Sequence, residues 1–275
     1  MASVVPFDYI AHVLTVPARV NGVETRLIFD TGIGINLISE GLAAKVGCSP
    51  DGSTFTGRRM SGQAVTTQLG SVHSLQIGAR VMRDVPVGIF DLHAMAGLAD
   101  IEGFVSLSSF RTTPVTVEYS TGHVILEDGE SLARRAVAGI SVSVHVGYDG
   151  CSTDLMLSMD LPNGKQISLE VDTGSDVLIL NEWLADDAGI DLNGQGVRQV
   201  RATDETGHEF VRYFAALRGD VHVSGAPSIR MTDPEVMLQK IIYDGLVGDK
   251  FLRNFTTTYD LANSRLIFAI PAGEG

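Results

Sequence analysis

The tripeptide Asp-Thr-Gly occurs twice in this chain of 275 residues, each time in the same local setting. The first copy lies in "LIFDTGIGINLIS" (27–39) and the second in "LEVDTGSDVLIL" (169–180). Each follows an apolar run that predicts a strand and precedes a second apolar run. Because an acid buried at the end of a strand is costly, two of them in one chain indicate a chemical role.

Other landmarks recur at the same spacing, which indicates an internal duplication. Asp172 follows Asp30 by 142 residues. The same offset relates three further pairs of segments: Asn21-Gly22 and Asn163-Gly164, 101–110 and 243–252, and 117–126 and 259–268. A given tripeptide is expected only about 0.03 times by chance in a chain of this length. Two related units therefore explain the pattern better than coincidence.

Each unit is predicted to be mainly β-structure. An Asn-Gly hairpin leads into the strand that ends at the acid. A second strand and a short helix follow, "SEGLAAKVG" from Ser39 in one copy and "NEWLADDAG" from Asn181 in the other, with both first residues predicted as N-caps. The segment 127–139 breaks the strand pattern and is the predicted linker. The predicted lobes are 1–130 and 131–275.

Composition and charge argue against nucleic acids, membranes and metal ions as partners. The net charge is −13 with no run of basic residues, which disfavours nucleic-acid binding. No basic stretch followed by a sustained apolar core opens the chain, and no apolar run reaches membrane-spanning length. We therefore expect no membrane association and a cytoplasmic location, although a trimmed secreted protein would look the same. The histidines and cysteines lack metal-ligand spacing, so no metal site is predicted.

The two Asp-Thr-Gly segments resemble those of the aspartic proteases, both the bilobal pepsin-like enzymes and the homodimeric retropepsin-like enzymes. The closing segment "DGLVGDKFLRNFTTTYDLANSRLIFA" (244–269) is similar to the pepsin-family C-terminus, and "DTGSD" from Asp172 to the retropepsin form. The resemblance covers the chain apart from the linker and the first dozen residues. It implies an all-β, bilobal pepsin-like fold with short helices. It also implies an endopeptidase that acts on peptide or protein substrates without a cofactor.

The predicted catalytic residues are Asp30 and Asp172. Equivalent residues of two units related by an approximate two-fold axis meet at that axis. Two carboxylates about 3 Å apart repel by roughly 5 kcal/mol at an effective dielectric constant near 20, so the pair keeps one proton over a wide pH range. One carboxylate then accepts a proton from water while the other hydrogen-bonds the substrate carbonyl. The titration belongs to the pair.

Four neighbours of the acids are expected to support them. By resemblance, Thr31 and Thr173 each reach across the axis to the backbone of the other lobe. Short hydroxyl groups suit such buried backbone partners. Gly32 and Gly174 leave room for the chain to turn and for N–H groups to face the carboxylates.

The two copies differ beside the acids. Ser175 is expected to donate its hydroxyl to the outer oxygen of Asp172, whereas Ile33, at the equivalent place, has no hydroxyl. Loss of such a bond favours the protonated form, so we expect activity to extend towards neutral pH. The first copy has Ser106 at the position where the second copy has Gly248. Whether a serine can pack behind the first loop is not decided by the sequence.

A hairpin flap is predicted at "FTGRRMSGQAV" (55–65), where Arg58, Arg59, Met60, Ser61 and Gly62 are candidate substrate contacts. It lacks the tyrosine of pepsin-like flaps, and its two arginines are equally consistent with a hairpin tip exposed to solvent. The segment 200–210 is a candidate second flap, so the sequence does not decide between one flap and two. By resemblance, Asp176 is expected to bind substrate backbone.

Two other functions stay open at this point. The first is a non-catalytic peptide- or protein-binding module that retained the fold, favoured by Ile33, Ser106 and the missing flap tyrosine. The second is a processing peptidase restricted to one partner. A monomer is the expected assembly, because duplication supplies the symmetry internally.

Overall fold

Strands dominate the computed structural model, which describes residues 1–10, 12–91, 101–203 and 209–271. The part before the linker forms these strands: β1 (Ser3–Pro6), β2 (Asp8–Ile10), β3 (Val13–Val20), β4 (Val23–Phe29), β5 (Leu37–Ser39), β6 (Thr54–Arg58), β7 (Ala64–Ile77), β8 (Arg80–Phe90), β9 (Gly103–Val105), β10 (Val115–Glu118) and β11 (His123–Leu126).

The part after the linker forms a second series: β12 (Ile140–Ser143), β13 (His145–Asp149), β14 (Ser152–Asp160), β15 (Gln166–Val171), β16 (Leu178–Asn181), β17 (Arg198–Thr203), β18 (Glu209–Ala216), β19 (Asp220–Val223), β20 (Ala226–Thr232), β21 (Glu235–Gln239), β22 (Gly245–Val247), β23 (Thr256–Asp260) and β24 (Arg265–Ala269). The short helices are α1 (Glu40–Lys45), α2 (Gly129–Ala138) and α3 (Asp249–Leu252), with 3₁₀ turns at Leu107–Phe110, Glu182–Leu184 and Leu261–Asn263. No helix among the described residues is both long and apolar enough to cross a bilayer.

Three sheets organise these strands, and the predicted all-β, bilobal architecture is confirmed. An eight-stranded sheet contains β2 to β9, and a ten-stranded sheet contains β13 to β22. A six-stranded sheet in the order β1-β11-β10-β23-β24-β12 draws half of its strands from each part of the chain. The predicted lobe boundary at 130/131 lies within α2, and it stays a prediction.

The six-stranded sheet joins the two halves symmetrically. Its central strands β10 and β23 pair antiparallel, with Thr116 opposite Thr258. Their buried hydroxyl groups are 2.7 Å apart, and the two residues are separated by 142 positions. An approximate two-fold axis that relates the halves therefore passes between these threonines.

Local signals explain several of the elements. Asn21 and Gly22 both have positive φ, +48° and +84°, and form the two-residue turn between β3 and β4. Ser39 caps α1 by accepting a hydrogen bond from the Leu42 N–H, as predicted. The linker is helical, and Asp128 and Ser131 form a capping box at its start.

Asn181 stands at the N-cap position, as predicted, but its side chain makes no cap hydrogen bond. The second copy forms a 3₁₀ turn there. The Asn181 amide donates instead to the carbonyl oxygens of Ile241, at 2.6 Å, and Tyr243, at 2.8 Å. Asn181 is fully buried, so its amide is used to satisfy backbone groups of a distant loop rather than its own helix end.

Candidate active site

The two acids follow equivalent strands. Asp30 comes directly after β4, which pairs in parallel with β9, and Asp172 follows β15, which pairs in parallel with β22. Each acid donates its backbone N–H to the adjacent strand at 3.0 Å, to the carbonyl of Val105 in one half and of Val247 in the other. The same backbone arrangement therefore delivers both acids to the axis between the lobes.

The carboxyl groups of Asp30 and Asp172 meet. They lie within hydrogen-bonding distance of each other. The glycines beside them are required by this approach. A Cβ atom at Gly32 would lie 2.6 Å from Cγ of Asp172, and one at Gly174 would lie 2.9 Å from Cγ of Asp30. Any side chain at either glycine would push the opposite acid away.

The carboxylate of Asp30 accepts more backbone hydrogen bonds than that of Asp172. The carboxylate of Asp30 accepts hydrogen bonds from the N–H groups of Gly32, at 2.9 Å, and Ile33, at 3.0 Å. That of Asp172 accepts one, from Gly174 at 2.8 Å. Hydrogen bonds to the ionised form stabilise it, so Asp30 is the better anion of the two.

Burial raises the pKa of both acids. The negative charge of Asp30 raises the pKa of Asp172 further, whereas the N–H donors of Gly32 and Ile33 oppose the rise at Asp30. The pair therefore retains one shared proton. One ionised and one protonated carboxyl group in contact can activate water and polarise a carbonyl together.

Two threonines lock the loops together across the axis. The Thr31 hydroxyl donates to the Val171 carbonyl at 2.6 Å, and the Thr173 hydroxyl donates to the Phe29 carbonyl at 2.9 Å. Each hydroxyl also accepts the backbone N–H of the other threonine, at 3.0 and 3.1 Å. Both residues are fully buried, so four reciprocal bonds hold the acids in register.

The predicted hydrogen bond from the Ser175 hydroxyl to the Asp172 carboxyl group is not formed. Both residues are described, and neither side chain makes a hydrogen bond with the other. In the first loop the Ile33 N–H reaches the carboxylate of Asp30. In the second loop the Ser175 N–H bonds the backbone carbonyl of Asp172 instead, at 3.3 Å. The local turn thus removes a donor from the second acid.

Ser106 fits behind the first loop. Its N–H donates to Oδ1 of Asn36 at 3.0 Å, and its hydroxyl donates to the Gly34 carbonyl at 3.1 Å. At the equivalent place in the other half, a Cβ on Gly248 would lie 2.5 Å from the Ser175 carbonyl oxygen. The serine is therefore satisfied where it stands, while glycine is required only in the second copy.

The first flap touches the opposite lobe. Strands β6 and β7 pair as its two arms, and 59–63 form the tip. The carbonyl of Met60 accepts the Ile242 N–H at 3.0 Å. The Met60 side chain packs on an apolar cluster of the C-terminal half: Ile179, Met237, Ile241 and Leu246, with Val177, Phe214 and Tyr243 beside them.

The other predicted flap residues serve the hairpin itself. The Arg58 guanidinium donates to the Gly62 carbonyl at 3.1 Å, and Gly62 has a φ of +85°. The Ser61 hydroxyl oxygen accepts the Gln63 N–H at 3.5 Å. Arg59 is half-buried and closes the tip through its backbone N–H. Substrate contact by these residues stays a prediction.

A second hairpin occurs at the place predicted for a second flap. Strands β17 and β18 pair from Arg198 opposite Phe214 to Thr203 opposite Glu209. The tip, 204–208, lies outside the described residues. Asp176 forms an ion pair with Lys250 at 3.3 Å, and its predicted role in substrate binding stays a prediction.

Sequence reasoning missed Glu170 and Tyr243. Glu170 lies two positions before Asp172, and its carboxyl group lies near the Tyr243 hydroxyl and interacts with it. Burial raises the pKa of Glu170 to about 7, and the nearby charges of Asp154 and Asp30 raise it as well. The signal was available, because the counterpart of Glu170 in the first copy is the apolar Ile28.

Comparison with known proteins agrees with the first half of this arrangement. A family model described as aspartyl protease matches residues 16–104. The matched segment includes the strand before Asp30, the first Asp-Thr-Gly loop and the whole first flap. No curated protein was found to match the chain. The match over these residues supports assignment to the aspartic protease superfamily.

Proposed function

We propose that the protein is an aspartic endopeptidase in which Asp30 and Asp172 activate water for attack on a peptide bond. The observation that carries this proposal is the contact between the carboxyl groups of Asp30 and Asp172, together with a flap hairpin that packs on the opposite lobe. Ionised Asp30 is suited to accept a proton from the water. Protonated Asp172 is suited to hydrogen-bond the substrate carbonyl.

The chemistry requires no covalent intermediate. Water adds to the carbonyl carbon as its proton passes to one carboxylate, and the resulting tetrahedral diol is held by both acids. The diol then collapses, the C–N bond breaks, and the amine leaves with a proton from the pair. The N–H groups and the threonine bonds keep the carboxyl groups oriented throughout, which is preorganisation of the kind that lowers the barrier.

An extended peptide is the proposed substrate. The cleft lies between two lobes built from strands, and each lobe carries a hairpin at the equivalent place. Main-chain hydrogen bonds from such edges hold a peptide in a strand-like conformation. Asp176, Met60 and the other residues of the first flap tip are proposed contacts.

The pKa directions predict the shape of the pH profile. Burial and the charge of Asp30 raise the pKa of Asp172, so the shared proton is retained to higher pH than by an ordinary carboxyl group. Activity is therefore expected to persist towards neutral pH and to fall as the last proton is lost. An optimum sharply below pH 4 would contradict this.

The test is digestion of a mixed peptide library over pH 3 to 8. Wild type is compared with Asp30→Asn and Asp172→Asn, which keep the shape of the side chain and remove its charge. We expect cleavage by wild type and a loss of at least about 10³-fold in each variant. A statine-type mimic of the tetrahedral state should inhibit wild type. Equal behaviour of all three proteins would refute the proposal and favour a non-catalytic peptide-binding module.

A further inference from the structure

A pair of polar residues in the second half of the site replaces a pair of apolar residues in the first half. In the first half, Ile28 and Ile101 pack with Val13 and Phe104 in an apolar cluster. At the offset of 142 residues, Glu170 replaces Ile28 and Tyr243 replaces Ile101. A pair of interacting polar side chains therefore stands where the symmetry of the fold would place two isoleucines.

The side chain of Glu170 faces away from the core of its lobe. Its strand neighbours Leu169 and Val171 are fully buried in that core, and alternate residues of a strand point to opposite faces. Glu170 itself is half-buried and lies opposite Met156 on β14. Its carboxyl group is close enough to Asp30, in the other lobe, for the two charges to interact.

Tyr243 connects this carboxyl group with the flap. Its ring packs beside the apolar cluster that also receives Met60 from the flap tip, and its hydroxyl interacts with Glu170. Tyr243 therefore lies beside both the Glu170 carboxyl group and the cluster on which the flap tip packs. Because Glu170 lies two positions before Asp172 and its charge interacts with that of Asp30, both residues are near the bond that the two acids would attack.

No described cation balances the Glu170 carboxyl group. It forms no ion pair with a described residue, and the charges that act on it, those of Asp154 and Asp30, are both negative. A partly buried carboxylate without a counter-ion is unfavourable. A lysine or arginine side chain of the substrate would supply the missing charge and additional hydrogen bonds.

We propose that Glu170, assisted by Tyr243, is a specificity-determining residue that selects a lysine or arginine side chain at one position beside the scissile bond. The equivalent subsite in the first half, lined by Ile28, Ile101 and Phe104, selects an apolar side chain. This inference rests on the proposed peptidase function. It adds to that function a substrate class, peptides with a basic and an apolar residue flanking the cleaved bond.

The test uses matched peptides that differ only in the residue on either side of one cleaved bond: lysine, arginine or norleucine. We expect wild type at pH 7 to show a kcat/KM for lysine about tenfold or more above that for norleucine at one of the two positions. In Glu170→Gln and Glu170→Ile, the latter reproducing the residue of the first copy, the ratio should fall to about one or below. Glu170→Asp should restore part of the preference.

The control is Glu130→Gln, which removes one negative charge from the exposed face of α2. It should keep the wild-type ratio. Dyad-dependent cleavage with the same lysine-to-norleucine ratio in wild type and Glu170→Gln would overturn the inference and leave the peptidase function intact. Thermal unfolding checks that each variant is folded.

A second measurement separates the two proposals if no peptide is cleaved. Statine-type peptide mimics with lysine or norleucine at each flanking position are titrated into wild type and Glu170→Gln by calorimetry. Tighter binding of a lysine mimic to wild type alone supports the subsite even where hydrolysis fails. Equal binding of the two mimics to both proteins, or no binding of either, overturns it.

Discussion

Replacement of Glu170 by glutamine is expected to change how the stability of the protein depends on pH. Burial raises the pKa of this carboxyl group from 4.5 to about 7, helped by the charges of Asp154 and Asp30, while the interaction with Tyr243 lowers it. Because the folded pKa exceeds the unfolded one, the folded state holds the proton more tightly. The resulting stabilisation is fully present below pH 4.5 and is lost as the pH rises through 7.

The magnitude follows from these two values. Between pH 8 and pH 5, the linkage relation gives wild type about 2.5 kcal/mol of extra stability from this one group. Glutamine has nearly the same shape and does not titrate in this range. The difference in the free energy of unfolding between wild type and Glu170→Gln should therefore shift in favour of wild type by about that amount on acidification.

The assay is urea unfolding of both proteins at pH 5, 6, 7 and 8. The dependence of the unfolding free energy on urea concentration (the m value) is compared between the two proteins at each pH. Tyr243→Phe removes the interaction that lowers the pKa of Glu170. In this variant the loss of stability with rising pH should therefore occur at higher pH than in wild type. A difference between wild type and Glu170→Gln that stays within about 0.5 kcal/mol over the whole range would refute the reasoning. It would mean that the Glu170 carboxyl group is already ionised in the folded protein.

Three further outcomes are expected. Gly32→Ala, whose Cβ would lie 2.6 Å from a carboxyl carbon of the dyad, should lower kcat by about 10²-fold or more; kcat near wild type would contradict the proposed closeness of the acids. Thr173→Val removes the two cross-lobe hydrogen bonds of its hydroxyl and should cost about 2–4 kcal/mol in chemical unfolding. Thr257→Val, whose equally buried hydroxyl has no partner among the described residues, should cost nothing measurable, and equal costs would contradict the argument. Gly62→Ala would place a Cβ 2.8 Å from the loop under the flap and should raise KM and speed proteolysis at the tip. Gly22→Ala, with nearly the same φ but open space around it, should leave KM unchanged. Equal KM values for Gly62→Ala and Gly22→Ala would contradict the contact between the flap tip and the opposite lobe.

The sequence alone determined those features that depend on neighbours in the chain. The Asn21-Gly22 turn, the Ser39 cap and the strands that lead to both acids follow from local backbone preferences and the alternation of apolar residues. The repeat at 142 residues also predicted that Asp30 and Asp172 meet, because symmetry brings equivalent residues together.

Only the tertiary structure decided what depends on residues far apart in the chain. The amide of Asn181 satisfies a distant loop instead of capping its own turn. The contact of Met60 with the opposite lobe likewise joins segments that no local pattern relates. In each case a buried polar or apolar group found its partner through packing, and the cost of leaving such a group unpaired outweighed its local preference.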